Sequence, residues 1–279
     1  MSTPRAEFDH SGMSWSDVLD KGELDAVLYR RGSERVNLLM HAQTLFGAKV
    51  ALARSGLNQR TGVVLDFGCG TGRIVRFFGS KGLKVIGVDV TPEMLVAARR
   101  FGLPPKSALA QVDGVSIPLG NESVDLIWVC GVLKYSLFKP GSPCRVAGGV
   151  LPDAAAIEAF IPVYADIARE MYRVLKPGGI VANVEMWVNS EPAVFTRDFE
   201  EAQFVTKRVA VLRRYRGWME RALELRSYYK LPAWLVTLAG HICARLRYRF
   251  DRPERPAPDY RDYLFVWSKP QRQRHGDAK

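Results

Sequence analysis

Apolar residues along this chain fall into short unbroken runs, separated by glycine turns and by stretches of helical period. Val63-Val64-Leu65-Asp66-Phe67 shows no alternation and is rich in β-branched residues, so it reads as a strand buried on both faces. Lys84–Asp89, Ala108–Val112, Val124–Cys130 and Ile180–Met186 read the same way. Helical spacing fills the gaps. Val36, Leu39, Met40, Ala42, Leu45, Phe46 and Val50 recur from an N-cap at Ser33 to a stop at Gly56. Ile74–Phe78 opens a second helix, and Thr91-Pro92 starts a third through Glu93, Met94, Leu95 and Ala98. Ile157, Phe160, Ile161, Tyr164, Ile167, Ala168, Met171, Val174 and Leu175 mark a longer one, with Pro162 at its start or at a kink. It is closed by Lys176-Pro177-Gly178-Gly179, where Gly takes the left-handed position and Pro stops the helix. Strands alternating with helices predict an α/β domain on a doubly wound, mostly parallel sheet.

The later part of the chain breaks this rhythm. Some sixty residues separate the fifth strand from Asp262–Trp267, more than one crossover helix needs. Three helices are predicted there, over 198–215, 218–230 and 232–244, with Pro232 at the start of the third, and Arg245–Phe250 is read as a strand. The domain is expected over 33–270. Within it lie a loop insertion at 136–153, rich in Gly and Pro, and a basic helical insertion at 190–247. Residues 1–32 form an N-terminal segment, and 271–279 are expected to be a disordered tail.

Charge sharpens the picture of that insertion. The net charge is +11, and between Phe204 and Arg255 thirteen Lys and Arg face only four Asp and Glu. Most of the excess therefore sits in one late segment, which speaks to a substrate or partner. Pro232 to Cys243 is apolar nearly all round. At that length it predicts a buried or interface helix, or one lying flat on anionic lipid between its arginines, and not a membrane span. Cys69, Cys130, Cys144 and Cys243 are scattered without C-x-x-C or zinc-ligand spacing, and so predict buried thiols in a reducing compartment and no metal site. Residues 1–12 are polar, with no signal-peptide core, and a cytoplasmic location is the expectation.

The chemistry concentrates just after the first strand, in Asp66-Phe67-Gly68-Cys69-Gly70-Thr71-Gly72-Arg73. A strand, a glycine turn and a helix N-terminus bring bare backbone close to a ligand. A dinucleotide fold wants G-x-G-x-x-G, and Arg73 stands where its third glycine belongs. The motif instead resembles motif I of the class I S-adenosylmethionine-dependent methyltransferases. The likeness continues in the acid ending strand two (Asp89), in Asp113-Gly114 after strand three, and in Leu175-Lys176-Pro177-Gly178-Gly179 before strand five.

That resemblance implies a seven-stranded sheet with an antiparallel last strand, an N-terminal helix, and the helical insertion between strands five and six. It implies S-adenosyl-L-methionine as cofactor. Asp66 with the amides of Gly68 and Gly70 would hold its amino-acid end, and Asp89 its ribose hydroxyls. Val90 would pack beneath the adenine, and Asp113 and Gly114 would meet the adenine edge. Cys69, Gly72 and Cys130 would complete the pocket. Read as residues alone, Asp89 could instead be a helix cap and Asp113 a turn residue before Gly. Many small-molecule members carry a histidine after strand four; here Lys134-Tyr135 stands in its place. Candidates for a general base are Tyr135, His41 and Glu185, with Tyr29 behind them.

The resulting expectation is methyl transfer to an oxygen or nitrogen of a small anionic or sugar-containing acceptor, a glycan included. Competing readings are a methyltransferase acting at a membrane or on a lipid-linked acceptor, and a cofactor-binding subunit without catalysis. Nucleic acid is the weaker partner, because no N-P-P-Y-like tetrapeptide follows strand four, where Cys130-Gly131-Val132-Leu133 stands. Dimerisation is open.

Overall fold

In a computed structural model of the chain, the described residues are 19, 23–24, 34–133, 161–187, 192–214, 231–251, 253 and 261–272. Their strands are β1 (Val63–Phe67), β2 (Lys84–Asp89), β3 (Ser107–Gln111), β4 (Val124–Cys130), β5 (Leu175–Trp187), β6 (Val205–Arg214) and β7 (Arg261–Ser268). The helices are α1 (Glu34–Ser55), α2 (Arg73–Gly79), α3 (Pro92–Arg100), α4 (Ile161–Val174), α5 (Pro192–Glu201) and α6 (Ala233–Phe250). One seven-stranded sheet forms in the order β3-β2-β1-β4-β5-β7-β6. The first five strands are parallel to one another, and β7 runs antiparallel between β5 and β6. The order reverses between β1 and β4, so their carboxyl ends part to leave a crevice.

Both faces of the sheet are covered, which is why its strands read as continuous apolar runs. On one face Ile127, Val181, Phe265 and Trp267 lie under α4 and α5, with Phe199 of α5 stacked on Trp267 at 3.9 Å. On the other, Trp128, Val184 and Leu264 lie under α1 and α2. Gly47 lets α1 settle onto the sheet: a Cβ there would press on Leu212 and Trp128 at 3.2 and 3.3 Å. Gly240 does the same between helices, since a Cβ would sit 2.8 Å from the carbonyl oxygen of Leu39. α6 thus lies along α1, with Tyr248 taking a hydrogen bond from Arg54 at 3.0 Å further down.

Two polar clamps fix the antiparallel edge. Arg213 of β6 pairs with Asp262 of β7 at 2.7 Å, and both are buried. The same guanidinium donates to Gln43 Oε1, the Met40 carbonyl and Thr44 Oγ1 of α1, each at 2.9 Å. Lys269, just past β7, donates to the carbonyls of Tyr172 and Leu175 at 2.9 Å and so closes the end of α4. Gly178 takes φ 81°, the left-handed turn expected of the Lys-Pro-Gly-Gly segment.

Two expectations fail here: the helix read over 198–215 is the end of α5 followed by β6, and strand six is not where it was read. Strand six is Val205–Arg214, not Arg245–Phe250, and the latter continues α6. Among the described residues only α5 separates β5 from β6, and α6 lies between β6 and β7, so 190–247 is not one helical insertion. The reason is long-range pairing: β6 gains a full antiparallel ladder against β7, from Val205↔Ser268 to Arg214↔Arg261, which no local propensity reveals. β3 also starts one residue earlier than read, at Ser107. The predicted loop 136–153, the helix at 218–230, and residues 29–30 and 273–279 lie outside the described residues.

Candidate active site

The glycine turn after β1 is three left-handed residues spaced by two: Gly68 at φ 75°, Gly70 at 51° and Gly72 at 76°. A side chain at Gly68 would overlap Val132, which follows β4, so the two loops flanking the crevice touch there. The turn is tied to β2. The amides of Gly68 and Cys69 donate to the Val88 carbonyl at 2.8 and 2.9 Å, and that of Gly70 to Asp89 Oδ2 at 2.8 Å. This corrects one expectation: the Gly68 and Gly70 amides already have partners, so these glycines shape a cradle and do not donate into it. Cys69 is buried beneath the turn, and burial pushes its thiol pKa up.

Asp89 ends β2 and also accepts from the Thr91 amide at 2.9 Å, through Oδ1. Burial raises its pKa, opposed by those amides. The Thr91 side chain and the Val90 amide also hydrogen-bond this carboxylate, so Asp89 caps the turn into α3. Val90 follows it and stands beside Gly114 (φ 92°), where a Cβ would lie 3.2 Å from Val90 Cγ1. Asp113 is exposed. Its carboxylate takes the Val115 and Ser116 amides at 2.8 and 2.7 Å and the Ser116 hydroxyl at 2.8 Å, and the first of these amides leads in lowering its pKa. The turn-residue reading of Asp113 is thus the geometry seen.

Deeper in the crevice lies a polar cluster that the sequence did not reveal as a unit. Asp66 is buried with Oδ2 unpartnered, and burial pushes its pKa up to about 7 against the pull of Arg73. The Arg73 guanidinium, at the start of α2, meets His41 Nδ1 at 3.1 Å and donates to Cys130 Sγ at 3.8 Å. Burial, then Arg73, His241 and Arg213, bring the His41 pKa down to about 3. A ring held neutral by burial and nearby cations, with Nδ1 facing a guanidinium, is poorly suited to take a proton. Glu185 is fully buried on β5 and accepts from the Leu133 amide at 3.1 Å. Tyr135 lies outside the described residues. Two further residues were missed. Glu23 pairs with Arg76 and accepts from Thr71 Oγ1 at 3.1 Å, fastening the N-terminal segment to the glycine turn. Asn183, on the same strand as Glu185, is fully buried with both amide atoms unpartnered.

Residues 64–142 match the model of a family described as "Methyltransferase domain". The matched segment runs from β1 through β4 and is under a third of the chain. Among curated proteins, the domain is 28% identical over 129 residues to the malonyl-[acyl-carrier protein] O-methyltransferase of Enterobacter lignolyticus, covering 46% of this chain and 41% of that one. The corresponding enzyme of Salmonella typhimurium is 30% identical over a segment of the same length and shares. The alignments thus span about two fifths of these relatives' length. Among solved structures, geranyl diphosphate C-methyltransferase from Streptomyces coelicolor, crystallised with S-adenosyl-L-homocysteine, superposes with TM-score 0.52 at 14% identity, covering 86% and 85% of the two chains. A cyclase, SpnF, superposes equally well, at TM-score 0.52 and 21% identity over 82% and 81%. At such identities the superpositions speak for the fold alone, and the cyclase illustrates that this scaffold hosts other chemistry.

Proposed function

We propose that this methyltransferase domain binds S-adenosyl-L-methionine in the crevice and transfers its methyl group to an oxygen or nitrogen of a small anionic or sugar-containing acceptor. The observation that carries the reading is the Asp89 carboxylate: it ends β2 beside the glycine cradle, bonded to the Gly70 amide, the place from which an acid can accept from ribose hydroxyls. The rest of the crevice fits the same group. Asp66, buried and half-partnered, accepts from an ammonium, and Arg73 offers its remaining N–H groups to a carboxylate; one α-amino acid terminus carries both. Arg73 takes over the anion-holding part first expected of the glycine amides. Val90, beside Gly114, offers apolar contact to the base.

When bound, the cofactor supplies an electrophilic methyl on a sulfonium, whose departure needs no acid. The protein's own part is positioning. Holding an acceptor atom in line at near-attack distance is worth roughly 7 kcal/mol or more. Glu185, buried on β5 and accepting from the Leu133 amide, is our candidate to orient or deprotonate a hydroxyl or amine. A carboxylate acceptor needs no base, and the carrier-protein O-methyltransferases among the relatives bear that chemistry in their names. The excess of Lys and Arg between 204 and 255 favours an anionic acceptor. Calorimetry tests the core of the proposal. S-adenosylhomocysteine is expected to bind at micromolar strength, Asp89→Ala to abolish binding, and NAD to give no heat. Binding of NAD in its place refutes it. Incubating an extract with methyl-labelled cofactor then identifies the acceptor class.

A further inference from the structure

Helix α6 carries exposed apolar residues at every fourth position along its whole length: Trp234, Leu238, Ile242, Leu246 and Phe250. The two aromatics at the ends are 68% and 67% exposed. Each step of four overshoots a full turn by about 40°, so the five form a stripe about 24 Å long that winds about 160° around the helix. The opposite side is accounted for: Val236, Gly240 and Ala244 are buried, with Gly240 against α1. Arg245 and Arg249 flank the exposed stripe and are themselves exposed, and α6 contains no Asp or Glu. No helix among the described residues is long and apolar enough to cross a membrane. A contiguous apolar stripe is uncommon on a protein that meets only water.

We propose that α6 docks this protein on an anionic lipid surface, with its apolar stripe sunk into the headgroup boundary and its arginines among the phosphates. The chemistry is complementary on both counts. Apolar stripe, aromatic ends and flanking cations suit the interface plane, while a purely apolar protein partner would leave the arginines unanswered. The placement also serves the crevice. α6 runs alongside α1, and Val236 near its start packs against Leu39, two residues from His41. The Trp234 end of the stripe therefore lies toward the crevice, so a docked molecule holds its crevice near the lipid. This inference concerns the surface and stands whether or not the cofactor proposal holds.

Flotation of the full chain with vesicles tests it, using phosphatidylcholine alone and phosphatidylcholine with about 30% phosphatidylglycerol at about 0.15 M salt. The expected result is flotation with the anionic vesicles and little with the neutral ones. Each arginine near such a surface favours partition about fivefold, so Arg245→Gln with Arg249→Gln is expected to weaken it about 30-fold. Trp234→Ala with Phe250→Ala is expected to weaken it at least about tenfold. Both pairs are exposed, and unchanged melting curves confirm the fold. Absence of flotation with anionic vesicles overturns the proposal, as does equal binding by either pair of variants. Sedimentation showing a dimer that Leu238→Asp splits, without any vesicle binding, assigns the stripe to a second copy and overturns it too.

Discussion

Cofactor affinity is expected to fall as pH drops from 7 to 5, through Asp66. With no ligand, burial holds this carboxyl at a pKa of about 7. An ammonium brought to its unpartnered Oδ2 favours the ionised form, so the complex holds this carboxyl ionised across the window. The protonated fraction must then give up its proton on binding, so the apparent dissociation constant scales as one plus the ratio of protonated to ionised Asp66. That factor is about 2 at pH 7 and about 100 at pH 5, so affinity falls about 50-fold, or ~2.3 kcal/mol, across the window. His41, brought down to about 3, and the Arg73 guanidinium do not titrate there. Calorimetry with S-adenosylhomocysteine in two buffers of different ionisation enthalpy measures both the affinity and the proton released, expected near one at pH 5.5. Asp66→Asn binds more weakly and flattens the profile. A wild-type affinity constant within threefold over the window, or a slope that survives Asp66→Asn, refutes the assignment of Asp66 to the ammonium.

Gly68→Ala places a side chain at φ 75° and into Val132; a drop of about 1–2 kcal/mol in stability and loss of cofactor binding are expected by thermal melting and calorimetry. Arg213→Met leaves Asp262 buried without its guanidinium and is expected to cost about 3–5 kcal/mol in urea unfolding, largely recovered when Asp262→Leu is added. Asn183→Leu removes a buried amide with no partner, so the ligand-free protein is expected to gain about 1 kcal/mol, read as a higher urea midpoint. Ligand-free stability also carries two opposed pH slopes. The raised Asp66 pKa makes the folded state hold a proton that the unfolded chain loses from about pH 4 upward, so stability declines toward pH 7. The lowered His41 pKa does the reverse: its contribution is present above pH 6.5 and is lost as pH falls toward 3. Replacing His41 with Gln is expected to steepen the decline in denaturation midpoint between pH 4 and 6.

The first five strands were legible because each is a local statement: an unbroken apolar run, a glycine turn, a capped helix. Asp66 and Asp89 were legible for the same reason, as acids at fixed places relative to strand ends. The antiparallel edge was not. Arg245-Leu246-Arg247-Tyr248-Arg249-Phe250 alternates strictly and mimics a half-buried strand, yet its apolar members also repeat at i, i+4 in register with Trp234, Leu238 and Ile242. The longer helical pattern prevailed because Gly240 and Ala244 could seat it on α1. The polar clusters were hidden for a related reason. Arg213 meets Gln43 and Arg73 meets His41 across 170 and 32 residues, separations that no window on the chain can see. Asp113 was legible as a residue of interest but ambiguous in role, since the Asp-Gly pair that signals a turn here makes one.

The position of β7 between β5 and β6 has a consequence for how the molecule is assembled during synthesis. β6 leaves the ribosome before β7 and has no neighbour to bond with until the later strand arrives, and until then β5 also shows an open edge. α6, which packs on α1 beside β6, is made in that interval. A nascent chain stalled ahead of Arg261 therefore displays two unsatisfied strand edges and an arginine-flanked apolar helix at once, the composition that chaperones engage and that self-associates when they are absent.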